Sequence, residues 1–236
     1  MPATLATTYQ PASPTFERLL LKLTKQDESF PLLLELINDL PENNFFLGGG
    51  TVRDILSDEE LPVKDIDLFL TAGALEKIKG FLVDNGNLVV NQFGTNRWFP
   101  KGTDRNFYYD IIQIPKFYNG LWDCRDITDV LNQFDITANA VAFDLLSGQF
   151  FNPQNGLNDI QNKILRAVRF DFPELAVSNE IDISRNTVLW FRYNYYAQKL
   201  GYEIEPLTKQ WIAGNAFRSA EIEKFKQYFF DPKLHS

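Results

Sequence analysis

Two aspartates, Asp65 and Asp67, are the residues whose types and spacing most directly indicate chemistry in this chain. They stand two positions apart and lead into an apolar run at residues 68–70, which is typical of a strand. Because residues i and i+2 of a strand point to the same face, the two carboxylates are expected to lie side by side. Paired carboxylates suit Mg²⁺, which prefers one or two of them together with substrate phosphate oxygens. A D-x-D pair of this kind also occurs in solvated turns.

A run of three glycines at residues 48–50 precedes the aspartates and follows an apolar segment at residues 45–47. Glycine lets backbone N–H groups approach a phosphate closely, although the same run also suits a turn with positive φ. Together, the glycines and the paired carboxylates predict a metal-dependent site for a nucleoside triphosphate.

The order of these features resembles motif A of class II nucleotidyltransferases, the family of tRNA CCA-adding enzymes and bacterial poly(A) polymerases. The family pattern is GG-x-V-R-D-x-L, a short loop and D-x-D, and the matching residues are Gly49, Gly50, Val52, Arg53, Asp54, Leu56, Asp65 and Asp67. Residues 135–144, DITANAVAFD, resemble the family's RRDFTINAMAYD, and residues 148–166 resemble its GxxxDPxxGxxDLxxKxLR. The resemblance extends over residues 45–204 in the family's order.

The resemblance implies an α/β (α+β) fold: a polymerase-β-like nucleotidyltransferase head with a small mixed sheet flanked by helices, and a short helical neck. It divides the chain into a flexible N-terminal arm (1–14), a catalytic head (15–160) and a truncated helical neck (161–236). The implied reaction moves a nucleoside monophosphate from ATP, CTP or both to a hydroxyl acceptor and releases pyrophosphate. An RNA 3′ end, that of tRNA, is the leading acceptor, and Mg²⁺ is the expected cofactor, with Mn²⁺ as an alternative.

The residues that the resemblance places against the nucleotide are Gly49, Gly50, Arg53, Asp135, Asn139, Asp182 and Arg185. Asp182 and Arg185 keep the D-x-x-R spacing of the EDxxR motif, which in the family reads the base. The template is reduced, however, because Gln133 and Phe134 replace the family's arginine pair and Ile181 replaces its glutamate. The place of a further family arginine falls near Leu189. Discrimination between CTP and ATP is therefore expected to be relaxed.

Asp110 stands inside an apolar and aromatic run at residues 107–114, FYYDIIQI, which predicts a strand. Burying a lone acid in such a strand is costly unless something compensates. One interpretation is an outward-facing residue on an edge strand. The resemblance favours another, in which Asp110 is a third metal carboxylate beside Asp65 and Asp67.

Apolar spacing predicts the elements that must position these residues. Helices are expected at 16–23, 31–40, 75–83, 187–200, 206–211 and 220–230, and strands at 45–47, 66–70, 88–91 and 107–114. Residues 97–99 lie between two Gly-Thr turns, and residues 138–143 fit a short helix or a strand. The aromatic residues of 187–200 suit core packing more than stacking on bases.

Composition excludes several classes of protein. The 236 residues are 44% hydrophobic and 14% aromatic, which indicates a globular chain. A single cysteine, Cys124, excludes a disulfide framework and a cysteine-based zinc site, and the only histidine is His235, near the terminus. No apolar run approaches the ~20 residues that span a bilayer. No secretory signal is recognisable, so a cytoplasmic location and no membrane partner are expected.

The formal net charge of −8 is unusual for a protein that grips RNA. Positive charge concentrates after the predicted head, at Lys163, Arg166, Arg169, Arg185, Arg192 and Lys199, which suits either a local groove or ordinary solvated charges. Since only about thirty residues follow residue 204, the family's RNA-gripping regions are expected to be missing or supplied by a helper chain or a homo-oligomer. Two alternatives stay open: a nucleotidyltransferase acting on a small molecule or protein, and a non-catalytic nucleotide- or RNA-binding relative.

Overall fold

A seven-stranded mixed sheet forms the centre of the molecule. The computed structural model describes residues 13–42, 44–57, 65–104 and 107–230. The strands are β1 (Phe45–Gly48), β2 (Asp65–Leu70), β3 (Gly86–Val90), β4 (Asn96–Pro100), β5 (Tyr108–Gln113), β6 (Ala142–Asp144) and β7 (Phe150–Phe151). Their order is β3-β4-β5-β2-β1-β6-β7, in which β2 and β5 are parallel and the other pairs antiparallel. The predicted small mixed sheet is confirmed.

Helices flank this sheet, and a shorter helical part follows it. The helices are α1 (Pro14–Gln26), α2 (Phe30–Asn38), α3 (Gly49–Leu56), α4 (Ala74–Asn85), α5 (Ile127–Leu131), α6 (Gly156–Gln161), α7 (Arg185–Leu200), α8 (Pro206–Gly214) and α9 (Ile222–Tyr228). Two short strands, β8 (Ile164–Leu165) and β9 (Glu203–Ile204), pair in parallel as a separate small sheet. Short 3₁₀ turns lie at Ile114–Gly120, Thr137–Asn139 and Ala216–Glu221.

Local capping signals explain where the two longest helices begin and end. The Ser13 hydroxyl accepts a hydrogen bond from the Phe16 N–H at 3.2 Å, and proline occupies the first turn of α1. The Ser184 hydroxyl caps α7 in the same way, and α7 ends at Gly201, whose φ is +63°. The buried ring of Phe191 confirms core packing for part of the α7 aromatic stripe.

The alternation of side chains along β2 separates a buried face of the sheet from a partly polar one. Ile66, Leu68 and Leu70 enter the main core together with α1, α2 and α4. On the opposite face, Phe69 packs into a second apolar cluster that includes residues of α5 and of the Ile114–Gly120 turn. Asp65 and Asp67 share that second face but stand before the apolar cluster begins. The two aspartates at the start of β2 therefore lie beside the apolar cluster that contains Phe69.

The structure refines several local features of the sequence-based description. Residues 97–99, expected only to lie between two turns, belong to strand β4, in which residues 97 and 98 pair with both β3 and β5. Residues 49–56 form helix α3 directly after the glycine turn, and residues 138–143 divide between a 3₁₀ turn and β6. Helix α1 begins at Pro14, within the range expected for the arm.

Some expectations lie outside the described residues. These are the remainder of the N-terminal arm at residues 1–12, and His235. The division into head and neck at residue 160 stays a prediction. In the part of the chain that the structure describes, no helix has the length and apolar character needed to cross a bilayer.

Candidate active site

The central parallel strands bring three carboxylates together. Asp65 and Asp67 lie on one face of β2, with Asp65 exposed and Asp67 half-buried. The sheet register places Asp67 opposite Asp110 of β5 on one side and Gly48 of β1 on the other. Because β5 lies between β4 and β2, the edge-strand interpretation of Asp110 is wrong.

The carboxylate of Asp67 responds strongly to this crowding. Burial raises the pKa of Asp67 to about 8, and the nearby charges of Asp65 and Asp110 raise it in the same direction. The positive charge of Arg192 acts in the opposite direction. A cation placed beside these carboxylates would oppose the same repulsion.

The glycine turn leaves the space that Asp67 occupies. Gly49 adopts a φ of +73°, and a Cβ at this position would overlap the Asp67 carboxylate oxygen Oδ2. Gly49 also donates its N–H to the carbonyl oxygen of Val141 at 3.2 Å, which ties the turn to the segment before β6. Glycine is therefore required at residue 49 both by conformation and by contact with the acidic pair.

A buried polar network links the two sequence segments of the predicted site. The Arg53 guanidinium donates to the amide oxygen of Asn139, and its Nε and Nη2 donate to Asp54 at 2.8 and 2.6 Å. Asn139 in turn donates from Nδ2 to Asp135 Oδ1 at 3.0 Å. Arg53, Asn139 and Asp135 are all at least 96% buried, so each needs these partners.

Helix α7 completes the network from the other half of the chain. Arg192 donates from Nε and Nη2 to Asp135 Oδ2, at 2.9 and 2.6 Å, and from Nη2 to the Tyr196 hydroxyl at 3.1 Å. The ring centroid of Tyr196 lies 5.3 Å from the Arg192 guanidinium carbon and 6.0 Å from that of Arg53. The Arg192 side chain stays 32% exposed. It therefore presents a positive charge at the edge of the site while Asp135 holds it in place.

Asp110 has a cationic partner that the sequence did not indicate. Arg97, directly opposite on β4, donates from Nε to Asp110 Oδ1 at 2.8 Å and from Nη2 to Oδ2 at 2.9 Å. The Arg97 guanidinium carbon also lies 3.9 Å from the ring centroid of Tyr108. The predicted third carboxylate is thus beside Asp67, but it is already neutralised by an arginine.

The two residues expected to face the base are separated in the structure. The Asp182 side chain is 85% exposed and binds Lys224 of α9 at 2.8 Å, so it does not join the acidic cluster. The Arg185 guanidinium lies 4.0 Å from the ring centroid of Tyr118, on the side of α7 that faces the head. Leu189, near which the family's arginine was expected, is buried in the main core.

The residue that the structure adds to this set is Arg192, which the sequence reasoning gave no role at the site. A signal was present: Arg185 and Arg192 are seven residues apart, a spacing that puts both on one face of a helix. Asp135 stands in an apolar segment of the sequence, and a carboxylate buried there would need a cationic or polar partner such as Arg192.

The residues present fit a hard divalent cation through a pair of carboxylates. Among residues 13–42, 44–57, 65–104 and 107–230, no set of three or more His, Cys, Asp or Glu side chains is arranged to hold a metal ion. Asp65 and Asp67 nevertheless share one face, and the glycine turn keeps a side chain out of their way. Two carboxylates match Mg²⁺, which completes its coordination with water and substrate phosphates.

The mixed sheet, with a D-x-D pair on a central strand beside a glycine turn, defines a polymerase-β-like nucleotidyltransferase head. A family model described as the poly(A) polymerase head domain matches residues 45–166, just over half of the chain. The chain belongs to this family.

Named relatives agree with this assignment. The chain is 23% identical over 221 residues to a CCA-adding enzyme of Lactobacillus helveticus, a match that covers 89% of this chain and 51% of the relative. It is 35% identical over 139 residues to the multifunctional CCA protein of Haemophilus ducreyi, covering 55% of this chain and 31% of that protein.

Solved structures show the same fold. The Thermotoga maritima CCA-adding enzyme complexed with tRNA matches with a TM-score of 0.66 and 20% identity, over 94% of this chain and 51% of that one. A CCA-adding enzyme in complex with CTP matches with a TM-score of 0.62 and 21% identity, over 88% of this chain and 48% of that one. The chain thus spans about half the length of these structures and of the Lactobacillus relative.

Proposed function

We propose that this chain is a metal-dependent nucleotidyltransferase that moves a nucleoside monophosphate from an NTP to the 3′-hydroxyl of an RNA and releases pyrophosphate. The observation that carries the proposal is the Asp65–Asp67 pair, which lies on one strand face against the Gly49 turn and beside Asp110. Relatives described as CCA-adding enzymes, one of them solved with tRNA, support tRNA as the acceptor and ATP and CTP as donors.

Asp65 and Asp67 are the proposed metal ligands, and Asp110 is the proposed third carboxylate, nearest to the acceptor hydroxyl. Bound Mg²⁺, or Mn²⁺ in its place, would stabilise charge on the triphosphate and lower the pKa of the attacking hydroxyl. With His235 the only histidine in the chain, a carboxylate is the protein group best suited to accept the hydroxyl proton.

The triphosphate is proposed to bind at the glycine turn, where Gly49 and Gly50 begin helix α3. The first turn of a helix directs backbone N–H groups and a partial positive charge toward an anion. Arg53 is 3% exposed and already bound to Asp54 and Asn139, so its proposed role is to hold the turn and Asn139 in place.

The nucleoside part is proposed to lie against Asp135, Asn139 and Arg192. Asn139 is fixed by its hydrogen bond to Asp135, and Arg192, which also donates to Asp135, offers the partly exposed cation of the group. Arg185 is proposed to face the base, whereas Asp182 is left out because Lys224 binds it on the surface. A cytoplasmic location and a helper chain or second copy that grips the RNA stay predictions.

A transfer assay tests the proposal directly. The protein is incubated with each labelled NTP, Mg²⁺ and total RNA, and the labelled species are separated into RNA, protein and small molecules. Label at tRNA 3′ ends that is absent with Asp65→Ala supports the proposal. Label on protein or on a small molecule would show that the acceptor is not an RNA. The absence of a labelled product with every NTP would contradict the assignment as a transferase.

A further inference from the structure

The Arg97–Asp110 pair occupies the place where a second cation would otherwise meet the third carboxylate. Arg97 uses two nitrogens and Asp110 uses both oxygens, at 2.8 and 2.9 Å, which is the paired geometry that makes arginine–carboxylate contacts strong. Both side chains are mostly buried, at 26% and 19% exposure. Screening by solvent is therefore limited.

Further contacts hold the Arg97 guanidinium at this position. Tyr108 stands two residues before Asp110 on the same face of β5, and its ring lies under the guanidinium at 3.9 Å. The Tyr108 ring is itself packed against Phe99 of β4, with 5.7 Å between centroids. The cation is thus anchored by two adjacent strands rather than by a single flexible contact.

A divalent cation at Asp110 would have to share its ligand with this guanidinium. Both oxygens of Asp110 already accept N–H groups, and two cations at one carboxylate repel each other. Arg97 lies across β5 from the Asp65–Asp67 pair in the strand order, so it acts on that pair through its charge while its hydrogen bonds go to Asp110.

We propose that Arg97 competes with a divalent cation for Asp110. In the absence of NTP, one metal ion then binds at Asp65 and Asp67, and a second binds only weakly because Arg97 has to leave Asp110 first. Arg97 is in this sense a positioning residue that sets the order in which the site is filled. The inference rests on the proposed function, since it takes Asp65 and Asp67 as the first metal site.

Mn²⁺ binding without NTP, followed by electron paramagnetic resonance of the free ion, measures the competition without any activity assay. The wild-type chain is expected to bind one Mn²⁺ tightly. Arg97→Gln should bind a second Mn²⁺ about 10–100-fold more tightly than the wild type does. This factor corresponds to the free energy of the charge-assisted hydrogen bonds that no longer compete with the ion for Asp110. Arg97→Lys, which keeps the charge but not the two-nitrogen geometry, should lie between them.

Two controls separate this effect from a general change of charge. Arg125→Gln removes an 80% exposed arginine paired with Asp129, and it should leave both Mn²⁺ affinities unchanged. In the double variant Arg97→Gln/Asp110→Asn, the gained second site should disappear. If Arg97→Gln does not fold by circular dichroism, Arg97→Lys carries the comparison alone.

The outcomes also distinguish this inference from the proposed function. If Arg97→Gln and Arg97→Lys bind the second Mn²⁺ with the wild-type affinity, the proposed competition is wrong. It is also wrong if the increase in second-site affinity persists in Arg97→Gln/Asp110→Asn. If Asp65→Ala binds as much Mn²⁺ as the wild type, Asp65 and Asp67 are not the metal ligands. Both the proposed function and this inference are then wrong.

Discussion

Asp65 and Asp67 differ in their surroundings although both are proposed to hold the same ion. Asp65 is exposed at the start of β2, whereas Asp67 is half-buried between Gly48 and Asp110 in the strand register. Replacing either side chain removes a metal ligand more than it removes packing. We therefore expect effects on chemistry to be much larger than effects on folding.

Asp65→Asn and Asp67→Asn should each lower nucleotide transfer by at least ~100-fold, the order seen when a group that stabilises transition-state charge is removed. Circular dichroism should show an unchanged fold. Asp84→Asn, on the exposed surface of α4, is the matched control and should keep full turnover. Turnover near the wild-type value in either variant would contradict the assignment of the site.

The raised pKa of Asp67 predicts how the metal-free chain responds to pH. The pKa rises from 3.8, the ordinary value that applies in the unfolded chain, to about 8 in the native state, mainly through burial. Between these values the native chain holds a proton that the unfolded chain has released, so the free energy of unfolding should fall as pH rises toward 8 and then level off.

Urea unfolding in EDTA checks this dependence between about pH 5 and about pH 9. Asp67→Asn cannot release the proton, so its unfolding midpoint should change less over the same range. Equal pH dependence in the two proteins would show that Asp67 does not carry the shift.

The residues that sequence could identify are those in short motifs. Asp65, Asp67, Gly49, Asp135 and Asn139 were each found from neighbours a few positions away, and the structure brings them to one region. The contacts made by more distant elements, of Arg97 with Asp110 and of Arg192 with Asp135, were not predicted. Their function depends on which strand or helix lies opposite, and that is decided by tertiary packing.

At the scale of elements, α7 connects the C-terminal helical part of the chain to the part that the head-domain model matches, residues 45–166. Arg192 is the link, through its two hydrogen bonds to the buried Asp135. Among the residues that the structure describes, Arg192→Ala leaves that carboxylate with the Ile136 N–H and the Asn139 amide as its donors. We expect a loss of about 1–3 kcal/mol in the free energy of unfolding, since a buried charged group loses its main partner.

Urea midpoints of Arg192→Ala and Arg192→Lys measure this loss, with the exposed Arg125→Ala as control, which should stay within about 0.5 kcal/mol of wild type. Isothermal titration should in addition show weaker NTP binding in Arg192→Ala. A variant as stable as the control would mean that α7 does not depend on this contact.

Helix α7 also bears on nucleotide choice. Leu189 packs in the core and Asp182 binds Lys224 on the surface, so the positions expected to read the base supply few hydrogen bonds. If the proposed transfer holds, we predict that this chain separates NTPs by only about 1–3 kcal/mol, or roughly 10–200-fold in kcat/KM. Single-NTP kinetics test this, and a preference of about four orders of magnitude would show that other residues read the base.

The elements themselves were predictable where apolar periodicity was regular. Strands β1, β2 and β5 and helices α1, α2, α4 and α7 were all expected near their observed positions. Strand β4 was missed because Asn96, Arg97 and Pro100 interrupt its apolar pattern and glycines flank it. Its strand conformation comes from pairing with neighbours on both sides, which sequence alone does not reveal.

At the scale of the whole molecule, the net charge of −8 and the pairing of cations limit contact with RNA. Three arginines of the basic segment already bind carboxylates: Arg166 to Asp159, Arg169 to Asp171 and Arg192 to Asp135. Half of the six cations named in that segment are thus already paired, and counterion release from it should be small.

The affinity of this chain for tRNA should therefore depend only weakly on salt. We expect log K against log[KCl] to have a slope of about −2 to −3, measured by fluorescence anisotropy with labelled tRNA. As a control, the anisotropy signal of a neutral fluorescent dye mixed with the protein should not change with the KCl concentration. A value steeper than about −6 would indicate a basic surface that these ion pairs do not suggest.

The parallel pairing of β2 with β5 has a consequence for synthesis of the chain. Strands β3 and β4 lie between them in sequence, and Arg192, whose charge acts on Asp67, follows much later. On the ribosome, Asp65 and Asp67 therefore leave the exit tunnel well before the arginine that offsets their repulsion. Arg97 can pair with Asp110 once β4 and β5 have emerged, but Asp67 gains the opposing charge of Arg192 only when α7 emerges.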